Sequence, residues 1–241
     1  MEYQTVEQSS KYKTVLMKGA PGSGKTFKAA HFPRPVFFNF DHNLTGLNKL
    51  PEDVKKHIKV LDPAMKNGKK IKGRGVWDNF TDLLTQVVAD PDTSTVVIDS
   101  LTTLQEYLMD KILGSESPDT QMKIQDWGTI CRYWKTLGEE LLCAPDLDKH
   151  VVFIAHERTI EDDTSGVKMT RFGLNIGGSR RETFDLYFSD VWRCYVDLGN
   201  KGIKYMVAVE PKRTFTAKST LANMKGVFEW DEQKTELLKQ L

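Results

Sequence analysis

The stretch Gly19-Ala20-Pro21-Gly22-Ser23-Gly24-Lys25-Thr26 packs the most chemistry into the fewest residues of this chain. It fits the pattern G-x-x-x-x-G-K-[ST] without a mismatch. Its glycines let successive backbone N–H groups turn inward, because no Cβ obstructs the dihedrals such a turn needs. Inward N–H groups form a cradle for a phosphate. Lys25 is long enough and charged to reach the β- and γ-phosphates, and the Thr26 hydroxyl can hold Mg²⁺. The apolar run Val15-Leu16-Met17 leads in, and Phe27-Lys28-Ala29-Ala30-His31 follows. A strand therefore enters the loop, and a helix leaves it with its positive end toward the same anion. Gly19 through Thr26, together with Phe27, read as a binding site for a nucleoside triphosphate, with ATP and Mg²⁺ as the expected ligands.

A second stretch completes the first. Thr95-Val96-Val97-Ile98-Asp99-Ser100 is an apolar strand ending in an acid, well downstream of the phosphate loop. Open α/β sheets place ligands at the C-terminal ends of their strands, so Asp99 would stand beside the loop and hold Mg²⁺, directly or through water.

Elements must position these groups, and the chain supplies them in alternation. Residues 1–10 read as a loose tail and 11–241 as a single domain. Strands are expected over Tyr12 to Lys18, Pro35 to Phe40 and, short, Ile58 to Leu61. Lys66 to Gly75 carries Lys66, Lys69, Lys70, Lys72 and Arg74, a solvated loop or a basic hairpin that touches phosphates. Helices are expected over Val76 to Asp90, Leu101 to Leu113 and Asp126 to Cys143, where the stripe Trp127, Ile130, Cys131, Trp134, Leu137, Leu141 and Leu142 reads as core. Between them, Gly114 to Gln125 reads as a polar loop. His150 to Ala155 is another buried strand, ending at His156-Glu157-Arg158. Thr159 to Ser179 lacks apolar periodicity and reads as a long functional loop. Arg180 to Ser189 is helix-like; Val191 to Leu198 and Ile203 to Val209 form a hairpin through Gly199-Asn200-Lys201-Gly202. A last strand near Val227 to Trp230 precedes a helix from Asp231. Alternating strands and helices predict an α/β fold with a mainly parallel, twisted sheet covered on both faces.

Composition excludes several classes. Of 241 residues, 39% are hydrophobic and 28% charged, enough for a full core, and the formal charge of +1 confines any basic surface to a local patch. Cys131, Cys143 and Cys194 are dispersed, which argues against a disulfide framework or a zinc site. No run approaches 18 apolar residues and Met1 to Ser10 is polar, so neither a membrane partner nor a secretory signal is expected, and the expected compartment is the cytoplasm.

The order of these parts resembles the RecA-like core ATPases, and within them the small phage-encoded P-loop nucleotide-binding proteins of the single-strand annealing and recombination type. The resemblance rests on Gly19 to Thr26, on Phe37-Phe38-Asn39-Phe40-Asp41-His42-Asn43-Leu44, on Val97-Ile98-Asp99-Ser100, on Ala155-His156, and on the Lys/Arg cluster after the late hairpin. It implies that Asp41, where RecA proper has Glu, orients the attacking water; the shorter side chain implies slow hydrolysis. It implies that His156 senses the γ-phosphate, and that Lys212 or Arg213 reaches a neighbour's nucleotide as a finger in trans. Two loops, Gly114 to Gln125 and Thr159 to Ser179, would face single-stranded DNA within a homo-oligomeric ring or filament. The second would do so through Lys168 and Arg171 for phosphates and Phe172 for stacking. A single-strand-binding protein is an implied partner, and a phage origin would make the compartment the host cytoplasm. The extra domain that full-length recombinases carry is not expected here, which would favour annealing over strand exchange.

Two other functions compete. A small-molecule phosphotransferase could use the same loop, but Arg34, Arg74 and Arg132 are scattered where such an enzyme converges its arginines. An AAA-type helicase or clamp loader usually has Asp-Glu where this chain has Asp99-Ser100, and a sensor Asn where it has His156.

Overall fold

Runs such as Val15-Leu16-Met17, Phe37-Phe38 and Val96-Val97-Ile98 are apolar on both alternating faces, so their strands must be covered on both sides. A computed structural model describes residues 12–114, 119–144, 147–163, 168–199, 202–222 and 224–241. Among these, eight strands lie side by side in one sheet and a ninth pairs only with an extension of one of them. The sheet's core is parallel: β2 (Pro35–Asn39), β6 (Thr95–Asp99), β7 (His150–Asp162), β1 (Thr14–Gly19) and β9 (Asp190–Gly199) lie side by side in that order. Short β3 (Lys59–Leu61) flanks β2, and β10 (Gly202–Ala208) and β11 (Val227–Glu229) continue antiparallel from β9. The expected α/β fold, with a mainly parallel sheet and an antiparallel C-terminal hairpin, is the observed one. The turn residues Asn200 and Lys201 and the tail 1–10 lie outside the described residues.

Helices α3 (Arg74–Ala89), α4 (Leu101–Leu113) and α5 (Ile124–Leu137) cover one face, packing Trp77, Phe80, Leu104, Leu108 and Trp134 against Leu16, Phe38, Ile98 and Phe153. The other face carries α1 (Lys25–Ala29) and α6 (Trp230–Leu238), with Ala29, Ala30 and Trp230 against Met17, Ile154, Trp192 and Val207. A short α2 (Glu52–Lys55) lies before β3, and β4 (Met65–Lys66) pairs with β5 (Lys69–Lys70) in a separate exposed hairpin that carries Lys66, Lys69 and Lys70 of the basic cluster.

Three expectations are corrected. Thr159 to Ser179 is not one long loop: β7 runs on to Asp162 and β8 (Met169–Leu174) pairs back on it, from Glu157↔Leu174 to Asp162↔Met169. This ribbon leaves the sheet, so neither of its faces needs an unbroken apolar run, and the usual strand signal is weak there. The residues after it dock instead of floating: Gly177 N–H donates to Gln105 Oε1 at 2.8 Å, and a Cβ on Gly177 would lie 2.2 Å from the Trp127 ring. Residues 180–189 form two 3₁₀ turns, Ser179–Glu182 and Phe184–Tyr187, and no α-helix. Phe184 and Phe188 anchor that segment in the core beside Phe153, and this packing overrides helical propensity. The helix expected to reach Cys143 turns into a π-helix at Gly138, where a Cβ would press on the Tyr187 ring at 2.8 Å.

Candidate nucleotide site

At the C-terminal edge of the parallel strands the two sequence motifs meet. Thr26 Oγ1 donates to Asp99 Oδ2 at 2.8 Å, across 73 residues of chain. The strand between them is β7, so β1 delivers the loop and β6 the acid on either side of it. Gly19 ends β1 where a Cβ would lie 2.0 Å from the Cys194 carbonyl oxygen; only glycine lets β9 approach the loop. Gly22 and Gly24 adopt φ of 79° and 78°, the left-handed region that turns the chain into the cradle. The helix that follows has only five residues, so the loop itself carries more of the anion recognition than a helix dipole does.

The cradle is built around buried cations. Lys25 Nζ donates to the carbonyls of Gly19 and Ala20 at 2.8 and 2.9 Å, and Lys28 Nζ to that of Ser23 at 2.9 Å. Both side chains are buried, which lowers their pKa values, and among the described residues neither forms an ion pair. Carboxylates act on them from beyond ion-pair distance, Asp99, Glu157 and Asp41 on Lys25 and Asp231 on Lys28, so a polyanion fits as their direct counter-charge. Thr26 and Asp99 offer hard oxygen donors, the set that suits Mg²⁺. Burial pushes the Asp99 carboxyl up to about 6, with the Thr26 hydrogen bond opposing and the Asp41 charge adding to it. A cation there would draw it back to the charged form.

Sequence reasoning treated Asp41 and His156 separately; the fold brings them into contact. Asp41 Oδ2 lies 3.3 Å from His156 Nε2, while Oδ1 accepts from Ser100 Oγ at 2.8 Å and from Thr103 Oγ1. Backbone bonds from Phe40 N and Asp41 N to the Asp99 carbonyl, at 2.6 and 3.3 Å, tie the end of β2 to the end of β6. Burial favours the neutral acid at Asp41, but the hydrogen bonds from His156, Thr103 and Ser100 outweigh it and hold the carboxyl at about 2. Ser100 enters the sequence pattern only as the neighbour of Asp99, and Thr103 not at all, so neither hydroxyl's bond to Asp41 is legible there. Their only signal was a helix N-cap pattern, and Ser100 does cap α4 by accepting from Thr103 N. The Asp99–Ser100 peptide is cis.

The expected DNA and finger residues lie elsewhere. Lys168 and Arg171 are exposed on the β7–β8 ribbon. Phe172 is half-buried, with the Arg193 guanidinium 4.0 Å above its ring. Arg193 in turn forms a two-pronged bond with Glu157, at 2.9 and 2.8 Å, and also faces Tyr195 and Phe215. Lys212 and Arg213 are exposed in a tight turn closed by Lys212 and Phe215, and the Thr214 carbonyl of that turn accepts from Phe172 N at 2.8 Å. The finger candidates thus adjoin the ribbon. Of the first expected DNA loop, residues 115–118 lie outside the described residues. No helix among the described residues is long and apolar enough to cross a membrane.

A solved structure of the KaiC-like protein PH0186 from Pyrococcus horikoshii OT3 is similar at 16% identity, covering 90% of this chain and 89% of that one, with a TM-score of 0.47. No curated protein matches. The model of the AAA domain family matches residues 11–221, which include the phosphate loop, Asp41, Asp99 and His156. The chain belongs to the AAA domain family and is a P-loop ATP-binding domain of α/β fold.

Proposed function

We propose that this protein is an Mg²⁺-dependent ATPase that binds single-stranded DNA as a homo-oligomer and serves recombination or annealing of the phage type. The observation that supports this most is the course of one strand. β7 presents His156 to Asp41 at the nucleotide site and continues without a break into the ribbon beside Lys168 and Arg171. From His156 to Asp162 that strand spans about 20 Å, so a hydrogen-bonded ladder connects the two ends.

The residues divide the work. Lys25 and the loop amides hold the β- and γ-phosphates, and Thr26 and Asp99 are the ligands for Mg²⁺. The metal, when bound, offsets phosphate charge. Asp41 orients water toward the γ-phosphate through the oxygen it shares with His156. A carboxyl held at about 2 is a weak proton acceptor, which makes hydrolysis slow. His156 moves with Asp41 and passes the state of the site along β7. Lys212 or Arg213 completes a neighbour's site in trans, which would couple turnover to assembly. Lys168, Arg171 and the Phe172 ring contact the DNA strand. A single-strand-binding protein as partner belongs to the same proposal.

A second reading, an AAA-type helicase or clamp loader, is favoured by the family match. Against it, position 100 carries a serine hydroxyl bonded to Asp41 where that class usually places a glutamate. Hydrolysis measured with and without single-stranded DNA tests both: the expected result is stimulation by DNA. Annealing of complementary strands without displacement of a paired strand supports the first reading, and ATP-driven displacement the second. Phosphate transfer to a nucleoside monophosphate would overturn both.

A further inference from the structure

We infer that the outer half of the β9–β10 ribbon is the nucleoside platform of the phosphate-loop site, with Tyr205 as the ring on which the base stacks; this rests on the nucleotide-binding reading above. β9 and β10 pair Cys194 with Val207, Val196 with Tyr205 and Leu198 with Ile203. Cys194 and Val207 lie in the core cluster that also holds Ala29 of α1 and the adjoining Ala30. Side chains alternate along a strand, so Val196, Leu198, Ile203 and Tyr205 continue on the phosphate-loop face. There they emerge from cover: Tyr205 is 40% exposed, Ile203 64% and Leu198 78%. The opposite face of the same ribbon bears Asp197 across from Lys204, so the apolar side is one-sided. An exposed apolar strip of this kind marks a binding surface.

Its position names the occupant. Tyr205 touches the loop itself: a Cβ on Gly24 would lie 3.2 Å from its Cδ1, and Lys28 Nζ sits 5.4 Å from its ring centre. Asp99 on β6 stands two strands from β1 on one side, and Tyr205 on β10 stands two strands from β1 on the other. With the γ-phosphate end assigned to Thr26, Asp99 and Asp41, the nucleoside leaves the loop toward β9 and β10. The group that arrives there is flat, aromatic and weakly hydrated on its faces, which is what an exposed tyrosine ring flanked by Leu198 and Ile203 suits. Stacking reads the face of a base and not its edge, so the platform accepts adenine and guanine alike.

Calorimetric titration in Mg²⁺ with ATP, GTP and inorganic tripolyphosphate separates this inference from the reading beneath it. Tyr205→Ala is expected to weaken ATP and GTP about tenfold each while leaving tripolyphosphate unchanged. Tyr205→Phe, which keeps the ring, should bind all three as the parent does. Equal loss of ATP and tripolyphosphate in Tyr205→Ala would mean that the ring only braces Gly24, and the inference fails. It fails also if all three affinities are unchanged, including the case in which sedimentation shows a broken oligomer and the strip is a subunit contact. If the parent protein binds neither ATP nor tripolyphosphate, the nucleotide reading itself falls and the platform with it.

Discussion

Two ribbons grow from the strands on either side of the phosphate-loop strand, and they have opposite chemistry. β7 and β9 both pair with β1 in parallel, and each runs on past it to be doubled by an antiparallel partner. The β7–β8 ribbon exposes Glu161 and Arg171, with Lys168 beside its end, among the apolar Ile160, Phe172 and Leu174; the β9–β10 ribbon exposes Leu198, Ile203 and Tyr205. One architecture thus offers a charged surface on one flank of the loop and an apolar one on the other. Hydrogen-bonded backbone builds both; the side chains at alternate positions decide which ligand each can hold. The ribbons are also stapled to each other. Arg193 of β9 bonds Glu157 of β7, across β1 and over Phe172, with side chains only 11% and 7% exposed.

That staple is the place to break the comparison most severely. Arg193→Ala strands a buried carboxylate and is expected to cost about 3–5 kcal/mol in chemical denaturation. If it costs under about 1 kcal/mol, the two ribbons are energetically independent at their bases. Next in size, Lys25→Ala should weaken ATP about a hundredfold in calorimetry, since charged hydrogen bonds to two phosphates are lost. Everything ATP-dependent at either ribbon should vanish with it.

A pH series addresses the site between them. The Asp99 carboxyl sits at about 6 in the folded chain against 3.8 for the ordinary group, so the folded state holds the extra proton between those values. Stability of the ligand-free protein therefore falls as pH rises from about 4 to about 6, and levels off above that. Asp41, held at about 2, acts in the opposite sense: its contribution is complete above its ordinary 3.8 and is lost as pH falls toward 2. Asp99→Asn should abolish the loss of stability between pH 4 and 6, raise ligand-free stability at pH 7 by about 1–3 kcal/mol, and eliminate Mg²⁺-dependent nucleotide binding. A thermal-melt series that shows the parent gaining stability across that window would refute the burial argument. The smallest effect expected is the sharpest on the comparison. Lys168→Glu with Arg171→Glu should weaken single-stranded DNA about tenfold and flatten the salt slope by about 1.4, with ATP affinity untouched. Loss of ATP affinity in that variant would erase the division between the ribbons.

The legible part of the molecule is the part whose residues are constrained locally. The phosphate loop was readable because its glycines, lysine and threonine are adjacent, and the strand ending at Asp99 because a doubly covered strand needs an unbroken apolar run. The β7–β8 ribbon was not, because a strand outside the sheet is under no such demand. Nor were the two 3₁₀ turns of 179–187, where burial of Phe184 and Phe188 overrides a helical pattern. Asp41 and His156 were each picked out by resemblance, but nothing in their spacing says that they touch.

The sequence by itself determined the α/β class, the parallel core and the identity of the loop, since periodicity and backbone freedom are properties of neighbouring residues. Only the tertiary structure decided which distant groups meet: Thr26 with Asp99, Asp41 with His156, Ser100 and Thr103, Arg193 with Glu157, and Tyr205 with the loop at Gly24. Those meetings follow from strand order and register. Both are fixed by burying two faces of one sheet at once, and no local stretch of chain contains that information.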